Sequence, residues 1–157
     1  MSVAFVKEPN EDQVEVLPDR DLGTDPNIVT PRGLRMIRAE IEALEARREA
    51  AQRDNDKVSL ASINRDLRYW QARQKTAEVV DTGRETPDTV QFGTRVLIER
   101  DDGRTQTFTI VGIDEADPAT GSLSYLSPLA RSLIGKEVGD VVRAGSSDAE
   151  IVSIECR

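Results

Sequence analysis

Two apolar stripes separated by five polar residues constrain this chain more than any other feature. Leu34, Ile37, Ile41 and Leu44 follow in steps of three and four, as do Leu60, Ile63, Leu67 and Trp70, the second stripe continuing through Gln74 to Ala77. This is the spacing of an a/d seam, and it predicts two helices with one narrow apolar face each. Between them, Arg53-Asp54-Asn55-Asp56-Lys57 is rich in side chains that compete for helical hydrogen bonds. So short a break folds the stripes back on each other as an antiparallel helical hairpin, a coiled coil over residues 30–80. At about 1.5 Å per residue, arms of about 21 residues reach roughly 30 Å. One seam buries too little apolar surface to offset the entropy of ordering both arms, so the hairpin must stand on a second unit.

The first arm has a legible start. Thr30 can cap it, and Pro31 fits the first helical position, where a missing N–H does no harm. Gly33 weakens that first turn by up to about 1 kcal/mol relative to alanine, a cost that the close approach of a backbone or a neighbouring strand would explain. Residues 1–29 read as an acidic extended tail with Pro9, Pro18, Pro26 and only the patch Val3-Ala4-Phe5-Val6, docking locally at most. Asp81-Thr82-Gly83 ends the second arm and Pro87 closes a linker, so a C-terminal domain spans residues 88–157.

In that domain the period changes to that of strands. Thr94–Arg100 and Thr105–Ile113 are rich in Val, Ile, Thr and Phe, with a type I′ hairpin signal at Asp102-Gly103. Leu123–Leu126, Val138–Arg143 and Glu150–Cys156 read as further strands, the last two joined across Gly145-Ser146-Ser147. Ser127 to Gly135 reads as a two-turn helix with a serine cap, a proline at its first position and a glycine past its end. The fold class is α+β, a helical hairpin followed by a small antiparallel sheet on a short helix.

Composition narrows the chemistry. The chain has no histidine and one cysteine, which excludes zinc sites and Ser-His or Cys-His nucleophiles and leaves carboxylates to carry any reaction. The lone Cys156 fits a reducing compartment. There is no apolar run of about eighteen residues and no leader-like start, so the expected location is cytoplasmic, away from membranes. The net charge of −8 is uneven: residues 30–78 carry eleven basic and eight acidic side chains, while the flanking stretches are acidic. That surplus suits a negatively charged channel but is too small for an independent DNA binder; a solvated helix face with pairs such as Glu45–Arg48 is the other reading.

From Thr30 onward the chain resembles the bacterial Gre transcription elongation factors. The residues that carry the resemblance are Thr30-Pro31-Arg32-Gly33-Leu34, Phe92-Gly93-Thr94, Ile110-Val111-Gly112-Ile113-Asp114-Glu115-Ala116-Asp117 and, most specifically, Ser127-Pro128-Leu129-Ala130-Arg131-Ser132-Leu133-Ile134-Gly135-Lys136. Ala4-Phe5-Val6-Lys7-Glu8 is similar to the opening of a shorter Gre-like subgroup. The resemblance implies an FKBP-like C-terminal domain that docks at the rim of the RNA polymerase secondary channel while the hairpin enters it. By the same resemblance the docking residues are Asp114, Glu115, Asp117, Ser127, Pro128 and Arg131; read from the residues alone, these are an acidic turn and a capped core-facing helix. In the family, acids at the hairpin tip help hold a second magnesium ion for transcript cleavage. The factor is then no enzyme itself: it has no cofactor of its own, shares Mg2+ with the polymerase, meets nascent RNA and DNA only inside the elongation complex and acts as a monomer.

The tip departs from that pattern. A Gly-Asp-Leu-Lys-Glu-Asn tip is absent, the arms are shorter, and the candidates are Asp54 and Asp56, with Asp66 about two turns along the second arm. Asp54 and Asp56 are either metal-holding acids or turn formers exposed to water. The alternative function is that of Rnk-type relatives, which bind polymerase with a reduced hairpin and do not stimulate cleavage. A prolyl isomerase is disfavoured, because residues 88–157 offer only Phe92, Phe108 and Tyr125 where isomerase pockets are lined with aromatics.

Overall fold

The computed structural model describes residues 13–156; the Val3–Val6 patch and the Ala4–Glu8 stretch lie outside them. The hairpin forms as its stripes dictate. Helix α1 spans Pro31–Arg53 and α2 spans Lys57–Thr76, about 34 and 30 Å long. Thr30 caps α1, its Oγ1 accepting the Gly33 N–H at 2.9 Å. The seam buries Ile37, Ile41 and Leu44 against Leu60, Ile63 and Leu67, with Ala51 near the tip and Leu34 and Trp70 partly covered. One predicted seam position is displaced: Gln74 is exposed and Arg73 is buried in its place.

Two short strands close the foot of the hairpin. Strand β1, Ile28–Val29, pairs in parallel with β2, Glu78–Val79. The buried Asn27 reinforces them, its Nδ2 donating to the Arg73 carbonyl at 2.7 Å.

The C-terminal domain is a five-stranded sheet built from β3, Thr94–Arg100; β4, Thr105–Val111; β5, Ser122–Ser124; β6, Val141–Ala144; and β7, Ser147–Cys156. The spatial order is β5-β4-β3-β7-β6. Helix α3, Pro128–Leu133, starts at Ser127, which caps it, and buries Ala130 and Leu133. The core of this domain includes Val90, Val96, Ile98, Ile110, Leu133 and Ile151, and it is separate from the hairpin seam.

Two local expectations are corrected. The sheet is mixed, because β5 returns parallel to β4 after the 112–121 connection instead of pairing as an antiparallel neighbour. The turn at Asp102-Gly103 is not type I′, which needs positive φ at both central residues: only Gly103 has it, at 82°. Its N–H reaches the Arg100 carbonyl at 2.8 Å while Arg100 N–H reaches the Arg104 carbonyl at 2.8 Å, a three-residue loop ending in a glycine bulge.

The N-terminal segment is not a loose tail over its described part. It lies along α2, with Val14 packed on the seam and the Arg68 Nη2 donating to the Leu17 carbonyl at 2.8 Å. Asp19 pairs with Arg68 Nε at 2.5 Å and Arg20 with Asp66 at 3.3 Å. The Arg20 guanidinium also sits 3.9 Å from the centre of the Tyr69 ring, a cation–π contact.

Candidate functional site: hairpin tip, joint and docking corner

Asp54, Asn55 and Asp56 form the turn at the tip, and the backbone assigns each a task. Asp54 ends α1, its N–H bonded to the Ala50 carbonyl at 3.0 Å. Asn55 turns the chain with φ at 52°, a conformation asparagine tolerates better than most residues. Asp56 caps α2: Oδ1 accepts the Ser59 N–H at 3.1 Å and Oδ2 accepts the Ser59 hydroxyl at 2.6 Å. The Ser59 hydroxyl bond, then the Ser59 N–H bond, hold the Asp56 carboxyl below the usual range. The tip therefore presents two carboxylates on one exposed turn, one with both oxygens engaged. Val58 beside them is 84% exposed. Asp66 stands apart from the tip, tied to Arg20 on the flank of α2.

The acidic turn after β4 divides into an inward and an outward part. Asp114 accepts from the Tyr69 hydroxyl and from Arg73 Nε, the latter at 2.6 Å. The Asp114 and Arg73 side chains retain only 9% and 4% of their exposure, so the pair is buried. Burial first, and the bond to Asp114 second, push the Tyr69 hydroxyl up to about 12. Glu115 is tighter still: Oε2 accepts the Thr30 hydroxyl at 2.5 Å and Oε1 accepts Arg32 Nη1 at 3.0 Å. Asp114 and Glu115, expected as docking acids, thus fasten the domain to both helices of the hairpin. Asp117 faces outward, exposed, and caps the one-turn helix Pro118–Thr120 through the Ala119 N–H at 3.2 Å.

Gly33 and Gly112 belong to the same joint. A Cβ on Gly33 would lie 2.9 Å from Glu115 Oε2, and one on Gly112 would lie 2.5 Å from the Ile28 carbonyl oxygen. These two glycines let helix, strand and acidic turn meet.

Ser127, Pro128 and Arg131 share the corner formed by α3. Ser127 and Pro128 border an open groove with Leu129, Arg100 and Arg143, and Arg131 is exposed. The side of that corner facing the core is filled by Ala130 and Leu133. Sequence reasoning missed Tyr69 and Arg73 as partners of the acidic turn. Their i, i+4 spacing on α2 puts them on one face, but that face is visible as a contact only when Asp114 is placed beside it.

A projecting helical hairpin rooted by polar struts on a mixed-sheet domain is the arrangement that the resemblance to Gre factors implies. Residues 85–155 match the family model described as transcription elongation factor, GreA/GreB, C-terminal domain. The chain is similar to transcription elongation factor GreB of Neisseria meningitidis serogroup B, 45% identical over 104 residues covering 63% of this chain and 64% of that protein. It is similar to GreA of Desulfovibrio desulfuricans, 38% identical over 104 residues covering 62% and 64%. The chain thus spans somewhat under two thirds of the length of these relatives. A crystal structure of GreA factor homolog 1 from Thermus thermophilus is similar over 83% of this chain and 99% of that one, at 19% identity and a TM-score of 0.42. Residues 85–155 thus match the GreA/GreB C-terminal domain, and the chain is similar to GreA and GreB factors over about two thirds of its length.

Proposed function

We propose that this protein binds bacterial RNA polymerase through the secondary channel and regulates elongation by stimulating cleavage of backtracked transcripts. The observation that carries the reading is the separation of the two cores: the seam of the hairpin closes on itself, and the domain holds it only at the foot. That leaves the Asp54–Asp56 turn about 20 Å beyond the last contact with the domain, at Tyr69, free to enter a partner. Relatives named as transcription elongation factors support the direction of this reading.

Among the described residues no three His, Cys, Asp or Glu side chains gather as a metal site. Two tip carboxylates are hard oxygen donors that fit Mg2+, and they would fill only part of its shell, the polymerase providing the rest. A second magnesium there would activate a water and neutralise charge building on the scissile phosphate. The work of this chain is to carry the acids in and to hold the turn rigid through the Asp56–Ser59 cap. The exposed Asp117, Pro128 and Arg131, with the half-buried Ser127, supply the docking groups at the channel rim, while Asp114 and Glu115 fasten the foot of the hairpin. The protein acts as a monomer and is not an enzyme by itself.

A second reading has its own observation. Both Asp56 oxygens are taken by Ser59, which favours an Rnk-like factor that occupies the channel without stimulating cleavage. Stalled complexes with extruded RNA ends separate the two. Shortened transcripts on adding the protein, lost in the Asp54→Asn, Asp56→Asn double variant while binding persists, support cleavage; competition with other channel factors without shortened RNA supports the second reading.

A further inference from the structure

Strand β6 stands at one end of the five-stranded sheet, with β7 as its neighbour. The Ile151 N–H bonds to the Asp140 carbonyl at 2.9 Å, and the same register sets Val142 against Ala149 and Ala144 against Ser147. Antiparallel pairs alternate between bonded and non-bonded, so Val142 and Ala144 give their backbone groups to β7, while Val141 and Arg143 turn theirs to the open edge. The side chains of Val142 and Ala144 are buried under the sheet, which leaves those of Val141 and Arg143 exposed on its outer face.

Charge and apolar surface meet beside that edge. Glu150 lies between Glu99 of β3 and Val141 in one cross-strand row, so two carboxylates stand directly opposite each other. Like charges so placed destabilise a sheet, and a cation between them would relieve it. Both glutamates are exposed, and no ion pair among the described residues includes either of them. Arg143, the cation of β6, is paired with Asp148 at 3.4 Å, so Glu99 and Glu150 leave the face with two uncompensated negative charges. Val141 is 62% exposed and Val152, the extra residue of a bulge in β7, is 40% exposed. On the inner side of the same edge, an open groove of about 550 Å³ borders β6 and α3, its lining including Leu129, Ser132 and Ala144.

We propose that the β6 edge takes up an extended basic segment of a partner protein as a sixth strand, with a lysine or arginine opposite Val141. The outward backbone groups of Val141 and Arg143 supply main-chain hydrogen bonds, which give strand addition its affinity. The long basic side chain lays its aliphatic stem on Val141 and Val152 and carries its charge towards Glu150 and Glu99. Neighbouring strands are about 4.8 Å apart, so Glu150 lies about 10 Å from the added backbone, a span that the two side chains close from both ends. Alternate side chains of the segment point inward, and the groove beside α3 suits small apolar ones. A second copy of this chain fits the edge poorly, because its own β6 brings Arg143, already paired with Asp148, and further acids. This surface is distinct from the hairpin tip, so its test is independent of the transcription assay.

The probe is a fluorescein-labelled hexapeptide alternating lysine and valine, titrated with the full chain at low salt and followed by anisotropy; the control peptide alternates glutamate and valine. Saturable binding of the lysine peptide alone is expected, with backbone amide shifts in NMR spectra centred on Val141 and Arg143. The Glu99→Gln, Glu150→Gln double variant should weaken it about fivefold, in the range for two exposed ion pairs, while Glu45→Gln on α1 leaves it unchanged. Val141→Pro removes an outward N–H and spares the ladder to β7, so it should weaken binding about tenfold with a melting temperature near that of the wild type. Absence of saturable binding to about five millimolar, or equal binding of the two peptides, overturns the proposal. Binding by the double variant or by folded Val141→Pro equal to wild type, or amide shifts centred elsewhere, overturns it as well. A concentration-dependent dimer in sedimentation that Val141→Pro abolishes would seat a second copy on the edge and contradict it too.

Discussion

Gly33 illustrates how a residue that is costly for its own helix can be required by its neighbours. Alanine in a helix interior ordinarily gains up to about 1 kcal/mol over glycine. At Gly33 the added methyl would sit 2.9 Å from Glu115 Oε2, which is held by Thr30 while Arg32 holds the other oxygen of the same carboxylate. Gly33→Ala is therefore expected to lower stability in chemical denaturation instead of raising it; a stabilised variant would contradict the geometry. Asp114 offers a second test. Removing it leaves the Arg73 charge buried without its partner, a loss of about 3–5 kcal/mol in unfolding free energy. Asp117→Ala, at an exposed cap, should cost well under half of that. Tyr69 adds a pH dependence. Its hydroxyl titrates above its unfolded value, so its contribution is complete below about pH 10 and is lost as pH rises towards about 12. Tyr69→Phe should flatten that alkaline limb. At this scale the helix caps were legible, since Thr30 and Ser127 announce themselves locally. The joint was not: Tyr69 and Asp114 are 45 residues apart and Arg73 and Asp114 are 41, and no local pattern encodes that meeting.

The hairpin helices are the elements most fully written in the sequence. Their seam, their turn and their lengths follow from periodicity, and the shift from Gln74 to Arg73 arises because the last turn of α2 faces the domain, where a guanidinium finds Asp114. The sheet was legible as strands but less so as pairings. A short strand such as β5 carries no mark of direction, and its parallel pairing with β4 is set by the long connection that holds Asp114–Asp117. The turn between the helices also supports a prediction. Asp56 caps α2 with its carboxyl titrating below the usual range, so its contribution is present at neutral pH and is lost as pH falls below about 4. Asp56→Ala should lower the melting temperature at neutral pH and converge with the wild type under acid. A gap that persists at low pH would mean that the cap is not ionic.

At the scale of the whole molecule, the build is a probe on a base. The described part of the N-terminal segment thickens that probe along α2, where composition alone allowed an extended acidic tail local docking at most; Arg68, Arg20 and Tyr69 supply contacts that a reading of the segment by itself could not contain. The family resemblance was carried by the α3 decapeptide and by the acidic turn, and the structure gives these two different work. The turn largely holds the hairpin, and the corner of α3 keeps an outward face. The reach of the tip is the claim on which the account of function stands. It is tested by attaching an iron chelate at Asn55→Cys, in a chain with Cys156→Ser, and mapping hydroxyl-radical cuts in a stalled elongation complex. Cuts clustered on polymerase segments and RNA around the catalytic magnesium are the predicted result; cuts confined to the outer surface of the polymerase, or none, would contradict it.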